Sequence, residues 1–232
     1  SRPQGIARAK TKKVGILGAG MMGAGIAYVT AKAGIDVVLL DTEIANAEKG
    51  KAYSSNVLDK AISRQRATEE KKQALLKRIK PTVSYDDLAD CDLIIEAVFE
   101  NRDIKAKCTQ QSEAVIPKTA VFASNTSTLP ITGLAKASTR PNQFIGLHFF
   151  SPVDKMPLVE VIMGEQTDDV TLAKAFDYVG QIGKTPIVVN DRRGFYTSRV
   201  FGTYVTEGIA MLSEGVHPVS YTHLRAHETC AD

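Results

Sequence analysis

His148 and Glu160 are titratable residues that lie in strand-like sequence, twelve positions apart. His148 ends the apolar run Phe144-Ile-Gly-Leu-His, and Glu160 lies inside Leu158-Val-Glu-Val-Ile. A buried carboxylate without a partner is costly, so Glu160 requires one. Pairing with His148 would fix the imidazole tautomer and raise its basicity. The two residues therefore predict a general base, and a hydrogen-bonded structural histidine is the alternative.

A glycine-rich segment near the N-terminus has the pattern G-x-G-x-x-G, as Gly18-Ala-Gly20-Met-Met-Gly23. It follows the apolar run Lys13-Val-Gly-Ile-Leu and opens an Ala-rich helix, which is the context that a dinucleotide-binding loop needs. Gly18 permits a tight turn, Gly20 lets the backbone approach a pyrophosphate, and Gly23 lets helix and strand pack closely. The helix N-terminus favours an anion. A glycine turn without a ligand is the alternative.

Asp41 closes the second apolar run, Asp36-Val-Val-Leu-Leu, 21 residues after Gly20. A carboxylate at this place accepts hydrogen bonds from ribose hydroxyls and repels a 2′-phosphate. Thr42 and Glu43 follow it, so no arginine is present there to bind that phosphate. The sequence therefore predicts NAD rather than NADP as the cofactor.

Other polar residues follow the later strand-like runs. Glu96 and Glu100 come after Leu93-Ile-Ile, Lys105 opens the next helix, and Ser127 follows Val121-Phe-Ala-Ser. Ligands of open α/β sheets bind outside the carboxyl ends of the strands. Ser127 is therefore a candidate for binding a substrate oxygen, with a helix cap as its alternative, and Lys105 is either a site residue or an ordinary solvated lysine.

Most of the candidate residues lie at or near the ends of apolar runs, and these runs alternate with predicted helices of ten residues or more. Such alternation predicts a Rossmann-type doubly wound α/β fold with a mostly parallel sheet. The runs are continuously apolar, as expected for a sheet covered on both faces. Helices are expected at 22–33, at 44–80 with a break near Ala67 and Thr68, and at 103–115, 170–182 and 194–213.

Composition excludes several classes of protein. Of the 232 residues 44% are hydrophobic and 24% are charged, so a fibre or a disordered chain is excluded. No apolar run is long enough to span a bilayer, and three scattered cysteines predict neither a disulfide framework nor a metal site. Residues 49–80 carry ten basic and three acidic side chains within a net charge of +3. This stretch is a solvated helical face or attracts a polyanion; nucleic acid is not expected.

Five segments together resemble the 3-hydroxyacyl-CoA dehydrogenase family. They are Val14-Gly-Ile-Leu-Gly-Ala-Gly-Met-Met-Gly, Leu93-Ile-Ile-Glu-Ala-Val-Phe-Glu-Asn, Ala123-Ser-Asn-Thr-Ser-Thr, the stretch from Gly146 to Ile162, and Gly183-Lys-Thr-Pro-Ile-Val-Val. The likeness runs from about Lys13 to Ser220, and it is most similar to the dehydrogenase portion of bacterial multifunctional fatty-acid oxidation proteins.

The resemblance implies NAD-dependent oxidation of (S)-3-hydroxyacyl-CoA to 3-oxoacyl-CoA. It implies that His148 is the base, that Glu160 orients it, and that Ser127 holds the substrate oxygen. It assigns to the cofactor site the residues Gly18, Gly20, Met22, Gly23, Asp41, Glu100, Lys105, Ser127 and Ser151. Ser151 and Ser198, the latter assigned to substrate, stand where the commoner pattern has Asn. A serine donates a hydrogen bond but is shorter than an amide.

The resemblance also implies a domain organisation. We expect a linker at 1–12, the NAD-binding domain at 13–192, the start of a truncated all-helical domain at 193–220, and a foreign tail at 221–232. The family's helical domain completes the substrate cleft and forms a homodimer, and the full-length protein is expected to be cytoplasmic with a thiolase partner. Without that domain, a helix face is expected to be exposed, formed by Phe195, Val200, Tyr204, Ile209 and Leu212.

Two other functions remain open at this point. Related β-hydroxyacid or sugar-acid dehydrogenases rely on a lysine base in the long helix after the nucleotide domain, but residues 194–213 contain no lysine. The third possibility is a dinucleotide-binding module that does not turn over substrate, because half of its cleft is missing.

Overall fold

Eight strands form a single sheet in the computed structural model, which describes residues 1–220. In chain order they are β1 Lys13–Leu17, β2 Asp36–Leu40, β3 Ile79–Thr82, β4 Leu93–Glu96, β5 Val121–Ser124, β6 Phe144–Phe149, β7 Leu158–Met163 and β8 Thr185–Asn190. Across the sheet the order is β3-β2-β1-β4-β5-β6-β7-β8.

The sheet is parallel from β3 to β6, and only the β6–β7 pair is antiparallel. The chain runs outward from β1 through β2 to β3 and then returns to the other side of β1 with β4. Such a reversal creates a crevice outside the carboxyl ends of the strands, where ligands bind. The predicted Rossmann-type, doubly wound fold is confirmed.

The seven helices flank this sheet. They are α1 Met21–Lys32, α2 Ile44–Ser63, α3 Glu69–Lys77, α4 Arg102–Glu113, α5 Ile131–Ala135, α6 Asp169–Gln181 and α7 Thr197–Ser213, counted within residues 1–220. The break predicted near Thr68 is present, because the Thr68 hydroxyl accepts a hydrogen bond from the Lys71 N–H and caps α3.

Two apolar layers cover the opposite faces of the sheet. Ile16, Leu39 and Ile95 belong to one cluster of buried side chains. Their chain neighbours Val38 and Ile94 belong to the other. Because side chains alternate along a strand, a strand buried on both faces must be continuously apolar. The sheet is covered on both faces, as the apolar runs predict.

The helix predicted for residues 44–80 is wrong at its end. Ile79–Thr82 is an edge strand that pairs in parallel with β2. Pro81 disfavours helix at the residue before it, and its missing N–H is tolerated at a sheet edge. The last helix is also shorter than predicted: α7 begins at Thr197, after Phe195 has taken a positive φ of 45°.

Residues 1–12, predicted as a linker, lie against α6. The Arg2 guanidinium donates to both carboxylate oxygens of Asp177, at 2.7 and 2.9 Å. Thr11 exchanges two hydrogen bonds with the Gln181 side chain. The predicted tail at 221–232 lies outside the described residues.

Candidate functional site

The glycine loop between β1 and α1 has the shape that the sequence predicts. Gly18 takes a φ of +91°, and a Cβ added to it would lie 2.7 Å from the Ala97 carbonyl oxygen. A Cβ on Gly23 would lie 1.8 Å from the Gly18 oxygen, so helix and loop touch there. A Cβ on Gly20 would meet nothing within 4 Å. Space for a ligand is therefore open at Gly20, beside the first N–H groups of α1, which have no acceptor within the helix.

Asp41 lies beside this loop at the end of β2. One of its carboxylate oxygens accepts the Ala19 N–H at 2.7 Å, and the other accepts the Thr42 N–H at 2.8 Å and the Asn46 amide at 3.3 Å. Asp41 also lines a cavity of about 370 Å³ together with Gly20 and Tyr53. Asn46 and Tyr53 were missed by sequence reasoning, because nothing marks them apart from other residues of a polar helix.

The two methionines that open α1 differ in exposure. Met21 is 70% exposed and lines the Asp41 cavity. The Met22 side chain is partly buried and packs against the cluster that contains Ile16, and its assignment to the cofactor site stays a prediction. Its backbone N–H belongs to the first turn of α1, where N–H groups have no acceptor within the helix.

Lys105 is buried in an ion pair rather than solvated. Its ammonium donates to the two carboxylate oxygens of Glu96 at 2.7 and 3.0 Å, and it lies 3.2 Å from Glu100. Glu96 also accepts the Ser124 hydroxyl at 2.7 Å and the Val98 N–H at 2.8 Å. Both side chains of the pair are at most 2% exposed. Lys105 therefore joins α4 to the ends of β4 and β5.

Glu100 holds the loop that follows β5. Its Oε1 accepts hydrogen bonds from the Thr126 hydroxyl, from the Ser127 N–H at 3.1 Å and from the Thr128 N–H at 3.3 Å. Burial raises the pKa of Glu100, but the hydrogen bond from Thr126 and the charge of Lys105 outweigh burial and hold that pKa below its ordinary value. Ser127 is thereby fixed through its backbone, while its side chain is exposed.

His148 and Glu160 are directly opposite each other in the antiparallel β6–β7 pair. His148 Nδ1 lies 2.7 Å from Glu160 Oε2. Glu160 Oε1 accepts the N–H groups of Tyr196 and Thr197 at 3.0 and 2.9 Å, and Oε2 accepts the Thr197 hydroxyl at 3.0 Å. Thr197, the first residue of α7, was missed because only the tertiary fold brings it to Glu160.

The charge state of Glu160 fixes the tautomer of the imidazole. Burial raises the pKa of Glu160, but the hydrogen bonds from His148 and Thr197 outweigh it and hold that pKa below its ordinary value. An ionised carboxylate only accepts hydrogen bonds, so His148 Nδ1 donates to it, and in the neutral imidazole the lone pair is on Nε2. The rings of Phe150 and Phe195 lie 4.5 and 6.0 Å from the imidazole. This arrangement is chemically competent as a general base.

The exposed face predicted on the last helix is present with one exception. Val200, Tyr204, Ile209 and Leu212 are more than half exposed, whereas Phe195 is 3% exposed and packs beside His148. Phe195 precedes α7 and takes a left-handed turn, so its ring faces the sheet instead of continuing the helix face. Ser198, in the first turn of α7, is exposed.

A contact between Ser151 and Met21 brings the His148 side of the sheet close to the glycine loop. The Ser151 hydroxyl lies 3.7 Å from the Met21 sulfur. Val153 is buried against Gly25 of α1, where a Cβ would lie 2.8 Å from the Val153 Cβ. Most of the assigned residues, namely the glycine loop, Asp41, Glu100, Ser127, His148 and Ser151, therefore share one rim of the sheet.

No helix of residues 1–220 is long and apolar enough to cross a bilayer, and no three potential metal ligands come together within these residues.

Comparison with known proteins agrees with this geometry. Residues 13–192 match the family described as 3-hydroxyacyl-CoA dehydrogenase, NAD binding domain. The chain is 43% identical over 90% of its length to a fatty acid oxidation complex subunit alpha of Idiomarina loihiensis, and 41% identical over 90% to that of Colwellia psychrerythraea. It spans only 30% and 29% of the length of these two relatives.

Solved structures with the same fold include an (S)-3-hydroxybutyryl-CoA dehydrogenase from Ralstonia eutropha, at 42% identity and a TM-score of 0.87. That match covers 90% of this chain and 74% of the other. A 3-hydroxybutyryl-CoA dehydrogenase from Escherichia coli is 32% identical with a TM-score of 0.87, covering 90% and 44%. The family match extends over most of the chain and includes the glycine loop, Asp41 and the His148–Glu160 pair. This chain belongs to the family of NAD-binding domains of 3-hydroxyacyl-CoA dehydrogenases.

Proposed function

We propose that this chain binds NAD and supplies the general base for the oxidation of (S)-3-hydroxyacyl-CoA to 3-oxoacyl-CoA in fatty-acid β-oxidation. The observation that carries the proposal is the 2.7 Å contact between His148 Nδ1 and the buried Glu160 carboxylate. It occurs on the rim of the sheet where the glycine loop leaves space for a pyrophosphate. A base and a dinucleotide loop on one rim are what hydride transfer from an alcohol requires.

NAD, when bound, supplies an acceptor for the hydride that leaves C3 of the substrate. His148 Nε2 takes the proton of the C3 hydroxyl. Glu160 stabilises the imidazolium that results, because its carboxylate stays ionised and hydrogen-bonded to Nδ1. The rings of Phe150 and Phe195 shield the imidazole from water.

The other site residues bind or position. The Asp41 carboxylate binds ribose hydroxyls, and the N–H groups that open α1 bind the pyrophosphate. Ser127 holds the substrate oxygen, Ser198 binds the substrate, and Ser151 contacts the cofactor. Glu100 lines the cofactor site and Lys105 acts from behind it, since Lys105 is buried under Glu96.

We further propose that the chain is the dehydrogenase portion of a longer multifunctional protein. Its curated relatives are about three times longer. No residue of α7 is buried, which supports residues 193–220 as the start of a helical domain that completes the cleft and forms a homodimer. A cytoplasmic location and a thiolase partner belong to the same proposal.

Seven basic residues of α2, α3 and their connection form no ion pair within residues 1–220, and they attract the phosphates of CoA.

The experiment is NADH-dependent reduction of acetoacetyl-CoA by this domain with the family's C-terminal helical domain restored. We expect His148→Gln to lower kcat by about 10²- to 10⁴-fold, as loss of a general base does. Full activity of His148→Gln would remove His148 from the mechanism.

A dinucleotide-binding module without turnover is the second candidate, favoured by the exposed apolar face of α7. NADH fluorescence titration combined with the turnover assay distinguishes the two, because a module binds NADH without reducing the thioester. Asp41→Ser should also relax the preference for NADH over NADPH, since it removes the charge that repels a 2′-phosphate.

A further inference from the structure

The loop between β6 and β7 follows His148 and carries Ser151. We call residues 150–157 the β6–β7 loop. Two N–H groups inside it, those of Lys155 and Met156, donate to the Pro152 carbonyl. At the end of the loop the Pro157 carbonyl accepts the Thr185 N–H at 2.8 Å.

Lys184 bonds two more carbonyl groups of the loop from the turn between α6 and β8. Its ammonium donates to the Val153 carbonyl at 2.6 Å and to the Met156 carbonyl at 2.5 Å. An ammonium presents three donors at one point, so it can bridge two carbonyl groups of one turn. These bonds are charge-assisted and stronger than neutral ones. Lys184 thus fixes two points of the β6–β7 loop at once.

Two further contacts hold the loop toward the dinucleotide side. The Tyr53 hydroxyl, on α2, donates to Asp154 at 3.1 Å. Val153 is 2% exposed and lies against Gly25 of α1. The loop is therefore fixed between α1, α2 and the α6–β8 turn, and Ser151, near its start, meets Met21.

We propose that Lys184 is a positioning residue that holds the β6–β7 loop, and with it Ser151, in place for the nicotinamide half of the dinucleotide. The inference rests on the proposed function. Lys184 acts through the loop: its ammonium is bonded to loop carbonyls, and it does not line the cavity beside Asp41. Its removal should therefore weaken binding of the nicotinamide half and spare the adenosine half.

The test compares the affinities of this chain for NADH and for ADP-ribose, which lacks the nicotinamide ring. We expect Lys184→Met to raise the Kd for NADH about tenfold, the effect of losing roughly one charge-assisted hydrogen bond, and to leave the Kd for ADP-ribose within about twofold. Lys184→Arg keeps the charge and should bind NADH within about threefold of wild type. The matched control is Lys174→Met, on α6, which removes a single ammonium-to-carbonyl bond, to Thr119 at 2.8 Å.

Equal NADH affinities for Lys184→Met and Lys174→Met would overturn the inference. Equal weakening of NADH and ADP-ribose would also overturn it, because that is the signature of a general structural defect. If Lys184→Met does not fold, Asp154→Ala removes the bond that ties the same loop to Tyr53 of α2. Asp154 does not line the cavity beside Asp41, so this variant should weaken NADH alone, by about threefold. A wild-type chain that binds neither ligand contradicts the proposed function, whereas wild-type binding with an unchanged Lys184→Met contradicts only this inference.

Discussion

Replacing Glu160 with glutamine tests the proposed mechanism at its centre. Glu160 Oε1 accepts two backbone N–H groups, while Oε2 faces His148 Nδ1 and the Thr197 hydroxyl. In Glu160→Gln the amide oxygen must stay on the backbone side, because an amide N–H₂ there would face two donors. The amide nitrogen then faces His148 Nδ1 and donates to it. The imidazole proton is forced to Nε2, and the lone pair that acts as the base is lost.

The size of the effect follows from these contacts. A hydrogen bond to a charged group contributes about 1.5–3 kcal/mol against about 0.5–1.5 for a neutral one. The two backbone bonds of Glu160 therefore lose roughly 2 kcal/mol together, which lowers Tm by about 4–8 °C for a domain of this size. Loss of the base lowers kcat by about 10²- to 10⁴-fold, or about 3–5 kcal/mol in the activation free energy. NADH affinity should not change, since Glu160 contacts no residue of the glycine loop.

The tautomer can be read directly. Long-range ¹H–¹⁵N correlation spectra of imidazole groups distinguish the two neutral tautomers, and exposed His217 provides the internal reference. We expect the Nδ1–H form of His148 in the wild type and the Nε2–H form in Glu160→Gln. Acetoacetyl-CoA reduction and NADH titration complete the comparison.

Two results would refute this reasoning. The first is an Nε2–H tautomer of His148 in the wild-type protein, which would mean that Glu160 does not set the imidazole. The second is a kcat for Glu160→Gln within threefold of wild type despite a changed tautomer. It would show that the Nε2 lone pair is not the base.

Three further predictions address the rest of the site. Gly20→Ala should leave Tm unchanged, because its Cβ meets open space, but it should weaken NADH binding. Gly23→Ala should instead destabilise the fold, because its Cβ would lie 1.8 Å from a carbonyl oxygen. Thermal melts and NADH titration of the two variants would show whether the effects on stability and on binding separate. Lys105→Met leaves the Glu96 carboxylate buried without its cation, so it should lower the free energy of unfolding by about 3–5 kcal/mol. Urea denaturation measures this loss, and a loss under about 1 kcal/mol would contradict the prediction that the buried ion pair stabilises the fold. The folded-state pKa of Glu160 lies below its ordinary value of 4.5, so this carboxylate stabilises the native state above that pH and loses its contribution as the pH falls through the lowered pKa. Glu160→Gln should therefore flatten the acid dependence of the free energy of unfolding below about pH 4.5, and an unchanged slope there would contradict this prediction.

Several elements could be predicted from the sequence because their causes are local. The glycine loop lies within six consecutive residues, and its φ of +91° at Gly18 and its open space at Gly20 are what that spacing predicts. The fold class follows from continuous apolar runs that alternate with helices, because a parallel sheet buried on both faces requires such runs. The cap at Thr68 is also a local signal.

Other elements were missed or misassigned because their causes are not local. The strand Ile79–Thr82 carries only four residues, and it is a strand because β2 offers it an edge. Met22 follows Met21 directly, and only the packing of α1 leaves Met21 exposed and Met22 partly buried. Sequence alone left open whether Lys105 is solvated, and burial against Glu96 decides it.

By itself, the sequence determined the dinucleotide loop, the carboxylate of Asp41 at the end of β2, and that Glu160 requires a partner. Each of these follows from residue types along a short stretch of chain. Only the tertiary structure decided that the register of β6 against β7 sets His148 opposite Glu160, that Thr197 completes the hydrogen bonds of that carboxylate, and that Lys184 holds the loop beside them. The physical reason is that a hydrogen bond depends on distances of a few tenths of an ångström between atoms far apart in the chain. Strand register and helix packing fix those distances, and neither is encoded in any single segment.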